Sequence, residues 1–89
     1  MDDTRNRRGV ETLFSGGRLI AVPRKADRRT QLLEHLATTL FAAGEEYTEK
    51  EVNARLGQVH DDHAALRRYL VIGGQLTRTR DGAAYRRAA

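Results

Sequence analysis

Eighty-nine residues with no cysteine and a formal net charge of +4 leave room for one small domain and exclude disulfides and thiolate metal centres. A chain this short buries about 60–65% of its unfolded surface, so a small core is expected and a deep, lidded substrate cleft is not. No apolar run approaches the ~20 residues that cross a bilayer. The opening MDDTRNRRGV lacks the apolar segment of a signal peptide, so the cytoplasm is the expected location.

Residues 1–12 are polar with few apolar anchors and are expected to form a flexible tail, leaving 13–89 as a single domain. In LFSGGRLIAVP, a Gly-Gly turn precedes an apolar run from Leu19 to Val22 that Pro23 closes. This predicts a strand at a sheet edge, because proline donates nothing to a ladder. After the basic connector RKADRR the period becomes helical. Leu32, Leu33, Leu36, Ala37, Leu40 and Phe41 place one apolar stripe on a helix beginning near Asp27. Asp27 is the expected cap, and Gly44 the expected left-handed stop.

A second helix is predicted in YTEKEVNARLG. Thr48 and Glu51 form a capping box, each side chain satisfying a free backbone N–H of the first turn. Val52 and Leu56 face inward, Tyr47 staples the entry and Gly57 ends the helix. HDDHAALRRYLV predicts a third helix over Asp61 to Ile72, with Asp61 and Asp62 at the positive end of its dipole and the glycines at 73–74 as its stop. In LTRTRDGAAYRR, Asp81-Gly82 predicts a hairpin turn with positive φ at both residues. That register sets Arg78 opposite Tyr85, where guanidinium and ring are expected to meet. The whole order predicts an α+β fold. It is a small winged helix-turn-helix with three helices, a short N-terminal strand and a C-terminal β-hairpin wing, and GQV forms the tight turn between the second and third helices.

The stretches GRLIAVP, YTEKEVNARL, HDDHAALRRYLV and DGAAYRR, in that order, resemble a bacterial family catalogued as a domain of unknown function, number twenty eighty-seven. The matching positions are Gly17, Arg18, Leu19 and Pro23, then Tyr47, Thr48, Glu49, Glu51, Val52 and Asn53. They continue with His60, Asp62, Leu66, Arg67, Arg68, Leu70 and Val71, and end with Asp81, Gly82, Tyr85 and Arg86. The resemblance covers residues 13–87, and His63 departs from the family pattern. Members are found alone or fused to ArsR-like transcriptional regulators, which implies a role in transcription control. No separate DNA-binding domain precedes the motifs here, so this copy is expected to act alone or in trans.

Charge points the same way. Residues 1–29 hold eight Lys/Arg against four acids, residues 60–89 six against three, and residues 30–59 only two against five. Arginine dominates, and its planar fork suits phosphate better than the point charge of lysine. A coding bias toward arginine and alanine accounts for the same excess equally well. His60 and His63, with Asp62 or His35, are the best metal candidates, but zinc requires three or four ligands and the helix starts only after His60. No metal or other cofactor is expected, and whether His60 and His63 bind one is left open. Catalysis is not expected either. No Ser or Cys nucleophile accompanies the Asp–His neighbours, and FSGGRL lacks the Gly-Lys-Ser/Thr ending of a phosphate loop.

The third helix is then expected to read nucleic acid. Asp62, Leu66, Tyr69 and Gly73 share one side with Ala65 and Ile72 nearby, while His63, Ala64, Arg67 and Val71 take the other. Arg67 is expected to point outward most directly, forking onto guanine or gripping phosphate. His63 and Arg68 are expected to join Arg67 as nucleic-acid contacts, although Arg68, turned 100° away, is more simply a partner of Glu49, Glu51 or Asp62. Tyr69 and Val71 are expected in the core. Arg78, Arg80, Arg86 and Arg87 on the wing and Lys50 in the second helix would add phosphate contacts, as would Arg24, Lys25, Arg28 and Arg29. The expected function is DNA binding in transcriptional regulation, with no membrane or small-molecule partner. The alternative is a protein-interaction module, docking a partner regulator or a second copy through the edge strand or through exposed Leu70 and Val71.

Overall fold

In the computed structural model, which describes residues 9–88, the chain enters through a helical segment at residues 9–11. Within the stretch expected to be flexible, Val10 packs into the core; residues 1–8 lie outside the described residues. Gly16 and Gly17 both take positive φ, 57° and 81°, as a two-residue hairpin turn requires. They pair β1 (Phe14–Ser15) antiparallel with β2 (Arg18–Leu19). The strand expected from Leu19 to Val22 is therefore shorter and starts one residue earlier. Leu19 N–H donates to Val59 O and Ile20 N–H to Leu13 O, both at 2.7 Å. Beyond them the chain has no ladder partner, and Ile20 is 64% exposed.

Helix α1 (Ala26–Leu40) buries Leu32, Leu33, Leu36 and Ala37, the stripe that the sequence period predicts. Its ends differ from expectation. Lys25 holds the N-cap position without a side-chain cap, and Asp27 sits in the first turn, where its charge complements the helix dipole. At the other end Phe41 turns extended (φ −129°) and sends its ring into the core, 2% exposed. Burial of that ring stops the helix before Gly44, whose positive φ (81°) serves the turn that follows. Arg55 donates to Leu40 O at 2.9 Å, satisfying one of the carbonyls left free at the helix end.

That turn leads into β3 (Glu46–Tyr47), a strand too short to show as alternation in the sequence. Helix α2 (Glu49–Gly57) follows with the predicted capping box intact: Glu51 N–H donates to Thr48 Oγ1 at 3.1 Å, and Thr48 N–H to Glu51 Oε1 at 2.9 Å. Helix α3 (His63–Ile72) starts two residues later than expected because Asp62 is its cap, accepting from Ala65 N–H at 3.2 Å. The chain closes with β4 (Leu76–Arg78) and β5 (Tyr85–Arg87). The second sheet has the order β3-β5-β4 and is antiparallel throughout.

Arg78 does lie opposite Tyr85, but the connection is not a two-residue turn. Only Gly82 has positive φ (72°). Asp81 instead uses its carboxylate as the hub of a wider loop, accepting from Thr79 Oγ1 at 2.6 Å and from Ala83 N–H at 3.0 Å. The fold is α+β, helices and two small antiparallel sheets around one core in which Leu32, Val52, Leu56, Leu70 and Tyr85 are almost fully enclosed.

Candidate nucleic-acid interface

Helix α3 and the β4–β5 hairpin meet along a groove of about 310 Å³ lined by Ala64, Arg67, Arg68, Val71, Ile72, Arg78 and Tyr85. Three arginines thus line one concavity, together with the apolar Ala64, Val71 and Ile72 of the same helix as Arg67 and Arg68. A larger hollow of about 430 Å³ lies between α1 and the turn at 73–75. Its one arginine, Arg87, already donates to Phe41 O at 3.1 Å.

The three groove arginines differ in state. Arg67 donates through Nη1 to Asn53 Oδ1, its Nε lies 4.0 Å from Glu49 Oε1, and its side chain is only 24% exposed. Tyr85, its ring buried, donates its hydroxyl to that same Glu49 oxygen at 3.1 Å. Glu49 and Asn53 are four apart on α2, so they share the face that meets α3. Arg68, one residue on, is rotated to solvent and forms no ion pair among the described residues, and the same holds for Arg78. The pairing with Glu49 that the sequence assigns more simply to Arg68 is thus made by Arg67. The expected outward prominence of Arg67 passes to Arg68.

The inward face of α3 is also narrower than expected. The helix buries Leu66 and Leu70, while Ile72 is 77% exposed and Tyr69 38% exposed. Tyr69 holds the Arg29 guanidinium 5.4 Å from its ring centre, an attraction between cation and aromatic face. Val71 is half-buried and packs against the core edge. The predicted contact of Arg78 with the Tyr85 ring is not formed; among the described residues the other cation–ring pair is Arg55 over Tyr47, at 4.9 Å.

On the β4–β5 hairpin, Arg80 is exposed and forms no ion pair among the described residues. Arg86 pairs with Glu46 of β3 at 3.0 Å, and Arg87 is fixed as described. Lys50, Arg24, Lys25 and Arg28 are exposed. Of the histidines, His60 accepts at Nδ1 from Asp62 N–H at 2.9 Å, which makes its ring part of the capping turn. His63 is half-buried with its ring edge near Gly57, and its Nδ1 has no hydrogen-bond partner among the described residues. Among the described residues no three His, Asp or Glu side chains gather into a metal site. No described helix is long and apolar enough to cross a membrane.

Two carboxyls are held below the usual range by hydrogen bonds to their ionised forms. Glu51 is lowered first by the Thr48 backbone N–H and then by its hydroxyl; Asp81 is lowered first by Thr79 Oγ1 and then by Ala83 N–H. Sequence reasoning missed Asn53 and Tyr85 as partners of Arg67. The signal was the four-residue spacing of Glu49 and Asn53, which becomes informative only once α2 is packed on α3. It also missed Arg18, which ties the N-terminal hairpin to the α2–α3 turn. Arg18 donates to Gly57 O and Gln58 O at 3.3 Å and pairs with Asp61 at 2.5 Å.

No curated protein and no solved structure matches the chain. The profile of the family described as "Uncharacterized protein conserved in bacteria (DUF2087)" matches residues 18–87, from the Arg18 clamp through α2, α3 and the hairpin to β5. That span takes in the groove and the residues that build it, and the chain belongs to this family.

Proposed function

We propose that this domain binds duplex DNA in a regulatory role, laying α3 and the β4–β5 hairpin against the double helix. The observation that carries the reading is the groove that Arg67, Arg68 and Arg78 line together, the last two without an ion pair among the described residues. A concave site with free guanidinium groups attracts phosphate, and counterion release makes such binding salt-dependent. The element order supports a winged helix-turn-helix. Helix, short strand, two helices and a hairpin follow one another, and the short strand returns to pair with the last. In such a fold α3 is the recognition helix and the hairpin is the wing.

The test is fluorescence anisotropy with labelled duplex and single-stranded DNA at low and at physiological salt. Duplex binding that weakens steeply with salt supports the reading; no binding at low salt removes it. A second reading, docking of a partner protein, draws on the exposed Ile72 and Tyr69 at the end of α3. Leu70, expected to serve there, is fully buried and drops out. Complexes that survive high salt favour this second reading over the first.

A further inference from the structure

Of the three arginines in the groove, one is already engaged. Arg67 gives Nη1 to Asn53 and faces Glu49 with Nε, and three-quarters of its side chain is covered. Glu49 cannot easily swing away, because the Tyr85 hydroxyl holds its Oε1 at 3.1 Å from a buried ring. A phosphate approaching Arg67 would therefore also approach a fixed carboxylate of its own sign. Attraction and repulsion largely cancel there, since the field of an opposed pair falls off faster than that of a single charge. Among the described residues Arg68 and Arg78 have no such counter-charge.

We propose that the groove grips the sugar-phosphate backbone of DNA through Arg68 and Arg78, and that Glu49 withholds Arg67 from making a third phosphate contact. The proposal rests on the DNA-binding reading and specifies which groups carry it. The apolar part of the lining indicates the kind of anion. Ala64, Val71 and Ile72 line the groove beside the two free guanidinium groups. A ligand that fills it presents carbon next to charge, as deoxyribose beside its phosphate does and as inorganic phosphate does not. Glu49 then limits affinity: it keeps the surface from binding every polyanion through three charges.

The experiment measures duplex affinity by anisotropy across a salt series for the unaltered protein and for R68A, R78A, R67A and E49Q. A thermal melt of each variant checks that it is folded. Each phosphate contact contributes about 0.9 to the slope of log K against log salt. R68A and R78A are expected to flatten the slope by about 0.9 each, and R67A to leave it unchanged. E49Q keeps the hydrogen bond to Tyr85 but removes the charge. It is expected to tighten binding at low salt and steepen the slope by about 0.9. Should R67A fail to fold, E49Q decides alone, because half of the Glu49 side chain already faces solvent.

Flattening by R67A equal to that of R68A overturns the proposal while leaving DNA binding in place, and so does an E49Q slope unchanged from the parent. Absence of duplex binding by the unaltered protein overturns the parent reading and this one with it. Inorganic phosphate, added at matched ionic strength, is expected to compete no better than chloride. Specific displacement by it would replace the backbone assignment with a free-anion site.

Discussion

Tyr85→Phe isolates a single bond between the sheet and α2. The ring is 1% exposed and stays in place in the variant, so the hydrophobic packing of β5 is preserved. What is lost is the hydroxyl that donates to Glu49 Oε1 at 3.1 Å. Hydrogen bonds to charged groups contribute about 1.5–3 kcal/mol. Glu49 is half exposed, so water re-solvates the abandoned oxygen and the cost falls to about 1 kcal/mol. In a domain of this size that lowers Tm by about 4–8 °C. The assay is urea unfolding of Tyr85→Phe, Glu49→Ala and the double variant. If the bond exists as described, the two single effects overlap, and the cycle returns a coupling of about 0.5–1 kcal/mol. Additive effects, with Tyr85→Phe costing under about 0.3 kcal/mol, would show that the hydroxyl is solvated rather than bound. The account of a fixed Glu49 would go with it.

Thr48→Ala removes half of the capping box and is expected to lower stability by about 1 kcal/mol, read as a lower urea midpoint at unchanged m-value. Leu70→Ala, at a fully buried position of α3, is expected to cost about 2–5 kcal/mol; a loss under 1 would mean the helix is loosely seated. Gly74→Ala places a side chain at φ 83° and is expected to cost about 1–2 kcal/mol, although the space beside it is open. The depressed carboxyls set a pH dependence. Their folded pKa values lie below the unfolded ones, so their stabilisation is complete above the ordinary carboxylate range and is lost as pH falls through and below it. Melting temperature should therefore drop on acidification in that window, and less so in Glu51→Gln and Asp81→Asn.

Much of the helical layout was legible because its signals are local. The stripe from Leu32 to Phe41 and the Thr48–Glu51 box depend only on residues within a turn or two of each other. Short strands were not legible in this way. Glu46–Tyr47 is defined by β5, about forty residues on, and two residues cannot display alternation. The end of α1 was misplaced for a related reason: glycine is a local stop signal, whereas the ring of Phe41 acts through the core. The candidate site was legible as a set of arginines but not as a ranking among them. Spacing places Arg67 and Arg68 100° apart, yet cannot say which one α2 will meet; Glu49 and Asn53 decide that in three dimensions. The β4–β5 hairpin shows the same limit, since Arg86 and Arg87 resemble Arg78 and Arg80 in sequence but are fastened to Glu46 and Phe41 O.

The order β3-β5-β4 has a consequence for how the domain is made. Its central strand is the last of the three to be synthesised, so Glu46–Tyr47 and Leu76–Arg78 have no strand between them until residues 85–87 emerge. The helices can gather early on local contacts, but the sheet closes only by joining residues some forty apart, a step that slows folding. On the ribosome, the groove between α3 and the hairpin cannot exist in a chain that has yet to reach Tyr85. A nascent chain shorter than that would already display Arg67 and Arg68 without Tyr85 to fix Glu49, and the completed β5 is what turns an arginine-rich helix into a shaped surface.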